Sequence, residues 1–261
     1  MNRLHKIFAN GAGNKLNIYF TAGYPALNDT GAIMLALQKE GADIIEIGMP
    51  YSDPVADGPI IQESNAIALK NGMHMQLLFE QLHEVKEGIN IPVILMGYLN
   101  PVLQYGIEAF CLDAESAGVS GLIIPDLPMY EYEKFYKEIF KKHHLSMIFL
   151  ISPETSDARI EKADKLSDGF LYAVSSSSTT GEKEMGVATL EWYKRVQRMK
   201  LRNPVLIGFG IKEKKDFELA CSYSKGAIIG SAFIKALANK DPMKNTIHNF
   251  VSSIKDVNSP V

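Results

Sequence analysis

Residues 43–59, DIIEIGMPYSDPVADGP, combine a strand-like run with a loop that carries two carboxylates. The first part of this stretch, residues 43–48, is a short apolar run with three isoleucines, which is typical of a buried β-strand. The remainder has three prolines and a glycine at close intervals, and it therefore predicts a shaped loop rather than a regular element. Glu46 lies within the predicted strand, and the loop adds the carboxylates Asp53 and Asp57. An acid in a core strand, followed by an acid-bearing loop, calls for a functional explanation.

The strand pattern of this stretch recurs along the whole chain. Short apolar runs predict eight strands, at residues 17–22, 43–48, 91–96, 121–124, 146–151, 170–174, 205–208 and 227–230. A segment with helical periodicity follows each of them, and two helices are expected after strand two and after strand eight. A leading helix carries Leu4, Ile7 and Phe8 on one face, as expected of a plug over one end of the core.

Eight strand–helix pairs in 261 residues predict a (β/α)₈ TIM barrel that forms a single domain, residues 1–261. The alternative is a doubly wound open sheet. Such sheets usually carry a glycine-rich turn after the first strand, whereas residues 21–25 read TAGYP in this chain.

The charge and cysteine content restrict the partners and the compartment. The net charge is −3 and basic residues form no stripe, so we expect neither nucleic acid nor membrane as a partner. Two cysteines in helix-like segments make a disulfide framework improbable, and a reducing cytoplasm is the expected location. No apolar run approaches the ~18 residues of a membrane span, and no signal-peptide core precedes the first glycine-rich turn.

In a TIM barrel the site lies where the strands end, so the residues at the predicted strand ends are the candidates for chemistry. Neither lysine nor histidine is among them, which argues against a Schiff base and against a tight metal site. We therefore predict no metal, although carboxylate-bound Mg²⁺ stays open. The side chains that the strands deliver are Tyr19, Thr21, Glu46, Asp53, Asp57, Tyr98, Asn100, Asp126, Ser152, Tyr172, Ser175, Phe209 and Ser231.

Glu46 is the strongest catalytic candidate. By alternation it shares one face of strand two with Ile44 and Gly48 and points into the barrel, while Ile45 and Ile47 face the helices. An unpaired buried carboxylate takes up a proton readily, which is what a general acid needs at neutral pH. A structural salt bridge is the alternative, but every arginine lies outside the predicted strands.

Position alone leaves the other acids open. Asp57 stands just before the predicted helix start at Pro59, where an aspartate is equally an ordinary N-cap. Asp53, between Ser52 and a proline, favours an Asx turn that shapes the loop. Asp126 in the PDLP segment has the same ambiguity as Asp57.

Two glycine turns predict a phosphate site. GFGI at residues 208–211 and GSA at residues 230–232 follow the last two strands, where this fold commonly holds a phosphate against free N–H groups. Gly181, in the polar loop after strand six, could add a third contact.

These residues together resemble one family. Residues 46–62, EIGMPYSDPVADGPIIQ, closely resemble the signature of the tryptophan synthase alpha subunit, and the likeness extends across almost the whole chain. Further matching segments are TAGYP (21–25), MGYLNP (96–101), PDLP (125–128), TG (180–181), GFGI (208–211) and GSA (230–232).

The resemblance implies a TIM-barrel lyase that cleaves indole-3-glycerol phosphate to indole and glyceraldehyde 3-phosphate, a retro-aldol step of tryptophan biosynthesis without a cofactor. Glu46 takes the role of the acid–base carboxylate, and Asp57 that of the carboxylate facing the indole N–H. The substrate-binding residues are a phosphate set (Gly181, Gly210, Gly230 and Ser231), an indole pocket (Tyr19, Tyr172 and Phe209), Thr180 on a lid, and Tyr98.

The partner implied by the resemblance is the tryptophan synthase beta subunit, which carries pyridoxal phosphate and completes an α₂β₂ heterotetramer. The loop at 53–59 and the apolar connection at 100–105 are the expected docking surfaces. The sequence departs from the family at STTG in the lid (178–181) and at Tyr51, where phenylalanine is commoner.

Two rival functions stay open on sequence alone. A sugar-phosphate isomerase or epimerase would need a second acid or metal ligand on another strand, for which Asp126 is the candidate. A non-catalytic regulatory subunit would be expected to have lost Glu46 or Asp57, and both are present.

Overall fold

The computed structural model describes residues 2–9, 11, 13–174, 187–208, 210–239 and 241–255. Its centre is a sheet in which every strand pair is parallel. The strands are β1 (Lys15–Thr21), β2 (Ile44–Gly48), β3 (Val93–Met96), β4 (Gly121–Ile123), β5 (Ser146–Met147), β6 (Leu150–Ile151), β7 (Leu171–Val174), β8 (Val205–Gly208) and β9 (Gly226–Ile229).

The nine strands form an eight-stranded barrel, because β5 and β6 are the two halves of predicted strand five. The sheet order is β5-β4-β3-β2-β1-β9-β8-β7-β6, so β5 and β6 lie at its two ends. Two backbone hydrogen bonds of 3.0 Å extend the pairing between these halves, from Ile148 N to Leu122 O and from Tyr172 N to Phe149 O. One segment thus joins both sheet edges, and the predicted TIM barrel is confirmed.

The barrel encloses an apolar interior that is separate from the layer between sheet and helices. Ile44 belongs to the interior cluster and Ile45 and Ile47 to the outer one, as the alternation along β2 predicts. Leu4, on the leading helix, is fully buried and packs against the amino-end glycines Gly121 and Gly169. The leading helix therefore plugs the amino end of the barrel, as expected.

The helices cover the outside of the barrel and include both predicted extra pairs, α3–α4 after β2 and α12–α13 after β9. None of the described helices is long and apolar enough to cross a membrane. They are α1 (Arg3–Phe8), α2 (Asp29–Lys39), α3 (Pro59–Lys70), α4 (Met75–Val85), α5 (Leu99–Tyr105), α6 (Ile107–Ser116), α7 (Met129–Glu131), α8 (Lys137–Lys142), α9 (Asp157–Leu166), α10 (Val187–Arg198), α11 (Lys214–Tyr223), α12 (Ser231–Leu237) and α13 (Met243–Ile254).

Helix α5 was not predicted, and residues 100–105 are part of it rather than of a connection. Pro101 is the third residue of the helix, where the backbone N–H has no partner within the helix, so the proline costs little. The N–H of Leu99 instead donates to both oxygens of Asp126, at 2.9 and 3.2 Å. The cap comes from the loop after the neighbouring strand, which local sequence cannot show.

Candidate active site

Glu46 lies inside the barrel, beside Tyr19 of β1 in the strand register. Its side chain is completely buried. Oε2 accepts a hydrogen bond of 2.6 Å from Nδ2 of Asn17, while Oε1 has no hydrogen-bond partner among the described residues. No ion pair to Glu46 is formed within the described ranges, so the salt-bridge alternative has no support there.

Burial makes Glu46 an acid that holds its proton at neutral pH. Removal from water raises the pKa of its carboxyl to about 8, and the hydrogen bond from Asn17 lowers this pKa only in part. A proton held near neutral pH can be given and taken back in one turnover, which suits a general acid–base group.

Asp57 does not cap helix α3. Helix α3 has Gly58 at its N-cap position, and no side chain caps it. The Asp57 carboxylate instead accepts a hydrogen bond of 3.2 Å from the Tyr98 hydroxyl, which itself accepts one of 3.0 Å from Ala56 N. Partial burial raises the pKa of Asp57 to about 6, against the lowering effect of Tyr98. The carboxylate is therefore mostly ionised at neutral pH.

The backbone around Asp57 is fixed by its own loop and by α3. Asp57 N donates to Pro54 O at 3.0 Å, and Gln62 Nε2 donates to Asp57 O at 2.8 Å. Asp53 forms no Asx turn: its carboxylate accepts from the Ser52 hydroxyl at 2.5 Å, and Val55 N donates to the Asp53 backbone carbonyl. Hydrogen bonds thus fix the backbone of this loop at Asp57.

Tyr19 and Tyr172 occupy space left by glycines at the strand ends. A Cβ atom on Gly48 would overlap the Tyr19 hydroxyl, and one on Gly208 would overlap the Tyr172 hydroxyl. Burial, aided by the nearby carboxylates, raises the pKa of both tyrosines above the usual value. Both rings are therefore neutral side chains at any physiological pH.

A cavity opens at the carboxyl ends of the strands and brings three of the predicted residues together. Glu46 is not among the residues that line it, but it lies beside the lining residue Tyr19 in the strand register. The lining residues are Tyr19, Asp57 and Tyr98, joined by Met49, Ala56, Asn65, Met96, Gly97, Pro125 and Leu150.

The predicted phosphate residues lie at the next strand ends. Gly210 has φ of +76°, a left-handed conformation that favours glycine. Gly230 is the N-cap of α12, and a Cβ placed on it would lie 3.4 Å from Cδ1 of Tyr19, so this turn adjoins the cavity wall. Ser231 is the first residue of α12. Thr180, Gly181 and Phe209 lie outside the described residues, as does Ser175.

Sequence reasoning missed two buried amides at this site. Asn17 lies two residues before Tyr19 on β1 and therefore on the same, inward face. This alternation could have identified it from the sequence. Asn65 is 4% exposed, lines the cavity, and has an Oδ1 without a hydrogen-bond partner in the described part of the chain. It forms the buried face of α3 together with Ile61, Ser64 and Ala68. A polar residue at the helical spacing of this buried face could have identified it from the sequence.

Asp126 has a structural task, since both of its oxygens accept from Leu99 N at the start of α5. It is not the N-cap of the helix that follows it, because Pro128 occupies that position before α7. Across the described ranges, no group of three histidine, cysteine, aspartate or glutamate side chains is placed to hold a metal ion.

Comparison with known proteins shows similarity along almost the whole chain. Residues 8–259 match the family model described as tryptophan synthase alpha chain. The tryptophan synthase alpha chain of Flavobacterium psychrophilum is 53% identical over 92% of this chain and 94% of its own length. The structure of tryptophan synthase subunit alpha from Legionella pneumophila superposes with a TM-score of 0.87, at 34% identity and 97% coverage of both chains. A chain of the tryptophan synthase complex from Pyrococcus furiosus gives 0.85, at 31% identity, covering 93% of this chain and 98% of that one.

Proposed function

Because the chain belongs to the tryptophan synthase alpha chain family, we propose that its barrel interior is the active site of a carbon–carbon lyase. The reaction is the cleavage of indole-3-glycerol phosphate to indole and glyceraldehyde 3-phosphate, within tryptophan biosynthesis. The observation that carries the assignment is the pairing of a fully buried, protonated Glu46 with a hydrogen-bonded, ionised Asp57 at one end of the barrel.

Glu46 performs the proton transfers. Its proton goes to indole C3, which removes the aromaticity of the pyrrole ring and places positive charge on the ring nitrogen. The resulting carboxylate takes the proton of the glycerol hydroxyl while the bond between C3 and the glycerol chain breaks. The bond's electron pair restores the aromatic ring, an aldehyde forms, and Glu46 is protonated again.

Asp57 stabilises the charge that develops between these two transfers. A fixed carboxylate that faces the indole N–H lowers the energy of the cationic ring, and more strongly in a site of low dielectric. Tyr98 keeps this carboxylate oriented before the substrate arrives, since its hydroxyl is tied to Ala56 N as well. The loop therefore needs no reorganisation at the moment of reaction.

The other predicted residues bind the substrate. Tyr19 and Tyr172, with Phe209, contact the indole ring; Tyr98 borders it, and Gly210, Gly230 and Ser231 hold the phosphate together with Gly181. Thr180 belongs to the segment that closes over the substrate. Support for the phosphate set comes from the left-handed Gly210 and from the position of Gly230 beside Tyr19. Metal ions and organic cofactors have no part in this scheme.

The partner is the tryptophan synthase beta subunit, in an α₂β₂ complex, and pyridoxal phosphate belongs to that subunit. Two apolar side chains beside the mouth of the barrel support a docking surface there. Val55 in the loop after β2 is 84% exposed, and Leu103 on α5 is 46% exposed. We place the beta subunit on these two segments, which also carry Asp57 and adjoin Tyr98.

The chain forms one domain and works in the cytoplasm. The single domain is supported by α13, which packs on α2, and by the ion pair of 2.6 Å between Lys255 and Asp43. These contacts tie the end of the described chain to the start of β2.

A sugar-phosphate isomerase is the weaker candidate, because the second acid that it needs, Asp126, is occupied in capping α5. The test is to supply indole-3-glycerol phosphate and to measure indole, with and without a beta subunit. Slow release by the chain alone and a large increase on pairing support the lyase. No indole under either condition would overturn it.

A further inference from the structure

Asn17 is a buried amide in an apolar layer of the barrel. It is fully buried, and its neighbours in the strand register are Ile44 on β2 and Ile228 on β9, both in the interior cluster. An amide in such surroundings costs free energy unless it is hydrogen-bonded, and an aliphatic side chain would fill the space without that cost. Packing alone therefore does not explain an asparagine at this position.

Glu46 provides the explanation. Nδ2 of Asn17 donates a hydrogen bond of 2.6 Å to Oε2 of Glu46, and this contact favours the ionised form of the carboxyl. The other amide atom, Oδ1, has no hydrogen-bond partner among the described residues. The contact with Glu46 is thus the one hydrogen bond that the Asn17 side chain makes within them.

We propose that Asn17 is a positioning residue that binds Oε2 of Glu46 and thereby leaves Oε1 as the oxygen that gives and receives the transferred proton. Oε1 is buried and has no partner in the described part of the chain, so its lone pairs are available. The inference rests on the proposed function and adds the atom of Glu46 that acts in it. In the cleavage, the proton on Oε1 goes to indole C3, and the proton of the glycerol hydroxyl returns to the same oxygen.

The other titratable groups that face Glu46 do not replace this contact. They are the hydroxyls of Tyr19 and Tyr172, and more distantly Asp57. The tyrosines stay neutral because burial raises their pKa, and a second carboxylate cannot stabilise a negative charge. Of the described side chains, Asn17 is the one whose hydrogen bond lowers the pKa of Glu46 against the effect of burial.

The test uses Asn17→Leu, which keeps the branching at Cγ and has no donor, beside Ser167→Ala as a matched control. Ser167 is 1% exposed and its hydroxyl accepts from Phe149 N, so the control also removes a buried polar group, but away from Glu46. The carboxyl carbon of Glu46 is followed by ¹³C NMR in glutamate-labelled protein, with its signal identified by its loss in Glu46→Gln. In Asn17→Leu we expect the midpoint of this titration to rise by about one pH unit.

The kinetic readout is the pH profile of indole release in the complex with the beta subunit. We expect kcat of Asn17→Leu to fall about tenfold at neutral pH with KM within about twofold, and the alkaline limb to move with the NMR midpoint. Ser167→Ala should leave all three readouts unchanged. An unchanged midpoint and profile in Asn17→Leu would overturn the proposal, and so would a falling midpoint, since the amide oxygen would then be stabilising the protonated acid.

Asn17→Thr, whose hydroxyl is too short to reach Oε2, gives the same comparison if the leucine variant does not fold. The NMR titration needs no substrate, so it tests the role of Asn17 independently of the proposed lyase function. Wild-type protein that releases no indole would refute the proposed function while the titration still reports on the hydrogen bond.

Discussion

The hydroxyl of Tyr98 connects two loops of the barrel mouth, because it donates to Asp57 Oδ2 at 3.2 Å and accepts from Ala56 N at 3.0 Å. Tyr98 follows β3 and Asp57 follows β2, so a residue of the neighbouring strand orients the carboxylate. Position in the loop alone did not distinguish a catalytic Asp57 from a helix cap. This contact, with Gly58 in the cap position, excludes the helix cap.

Tyr98→Phe should weaken catalysis on the acidic side of the pH profile of indole release. Without the donor, the ionised form of Asp57 loses a stabilising contact, so the pKa of Asp57 rises from about 6 and the loss of activity on acidification begins at higher pH. We expect up to about tenfold lower kcat at pH 6 and a smaller effect at pH 8. The pH profile of indole release measures this.

Tyr51→Phe is the matched control for that variant. The Tyr51 ring packs on Tyr98 with 5.2 Å between centroids, but its hydroxyl accepts from Asn100 and does not touch Asp57. Its acid limb should coincide with that of the wild type. An acid limb that is the same in both variants and in the wild type would contradict the role given to Tyr98.

Asp57→Asn should lower kcat by at least about a hundredfold, because a neutral amide cannot offset the positive charge on the indole ring. The amide can still accept from Tyr98, so the melting temperature should stay within about 3 °C of the wild type. Indole release and thermal unfolding are measured on the same preparation. Activity near the wild-type level in a folded Asp57→Asn protein would refute the assignment.

Glu46 should make the folded protein less stable as the pH rises. Its pKa is about 8 in the folded state against an ordinary value of 4.5, so the folded state binds more protons between these values and stability falls with increasing pH. Glu46→Gln removes this pH dependence of stability. Asp57 adds a further pH dependence between about pH 4 and 6, but this one is the same in the wild type and in the variant. Relative to the wild type, the variant should therefore gain on the order of 1 to 4 kcal/mol in unfolding free energy between pH 5 and 9. Urea unfolding at several pH values measures the difference, and a constant difference would show that the pKa is not raised.

Gly48→Ala should destabilise the protein through Tyr19. The new methyl group would overlap the Tyr19 hydroxyl, and displacement of the ring costs about 1 to 3 kcal/mol in unfolding free energy. Removal of that hydroxyl in the double variant with Tyr19→Phe should recover part of the loss. Gly13→Ala, where a Cβ meets no atom within 4 Å, is the control. Strictly additive single effects in the double variant would contradict the described contact.

The fold could be predicted from the sequence because each strand carries its own apolar run and each helix its own periodicity. The inward position of Glu46 followed from alternation along β2 once a barrel was assumed. The division of residues 146–151 into β5 and β6 could not be foreseen, because the run is continuously apolar and its break arises where the barrel closes. Helix α5 was missed for a similar reason, since its cap, Asp126, lies 27 residues away.

The site was predictable to the extent that residues act from strand ends. Asn17 and Asn65 are not at strand ends, since Asn17 lies deeper in β1 and Asn65 lies on α3. The feature that distinguishes them is that they are polar and buried. The role of Asp57 depended on Tyr98, which is 41 residues away in the chain. Contacts of this range follow from the closed barrel and not from local pattern.

The most direct test of the central claim, that Glu46 transfers the protons, is indole release by Glu46→Gln in the complex with the beta subunit. A glutamine has nearly the same shape and can accept from Asn17, but it cannot give or take a proton in this pH range. We predict a fall in kcat of at least about a thousandfold with KM for indole-3-glycerol phosphate within about threefold, in a protein that still folds and binds the beta subunit. Turnover within tenfold of the wild type would contradict the account.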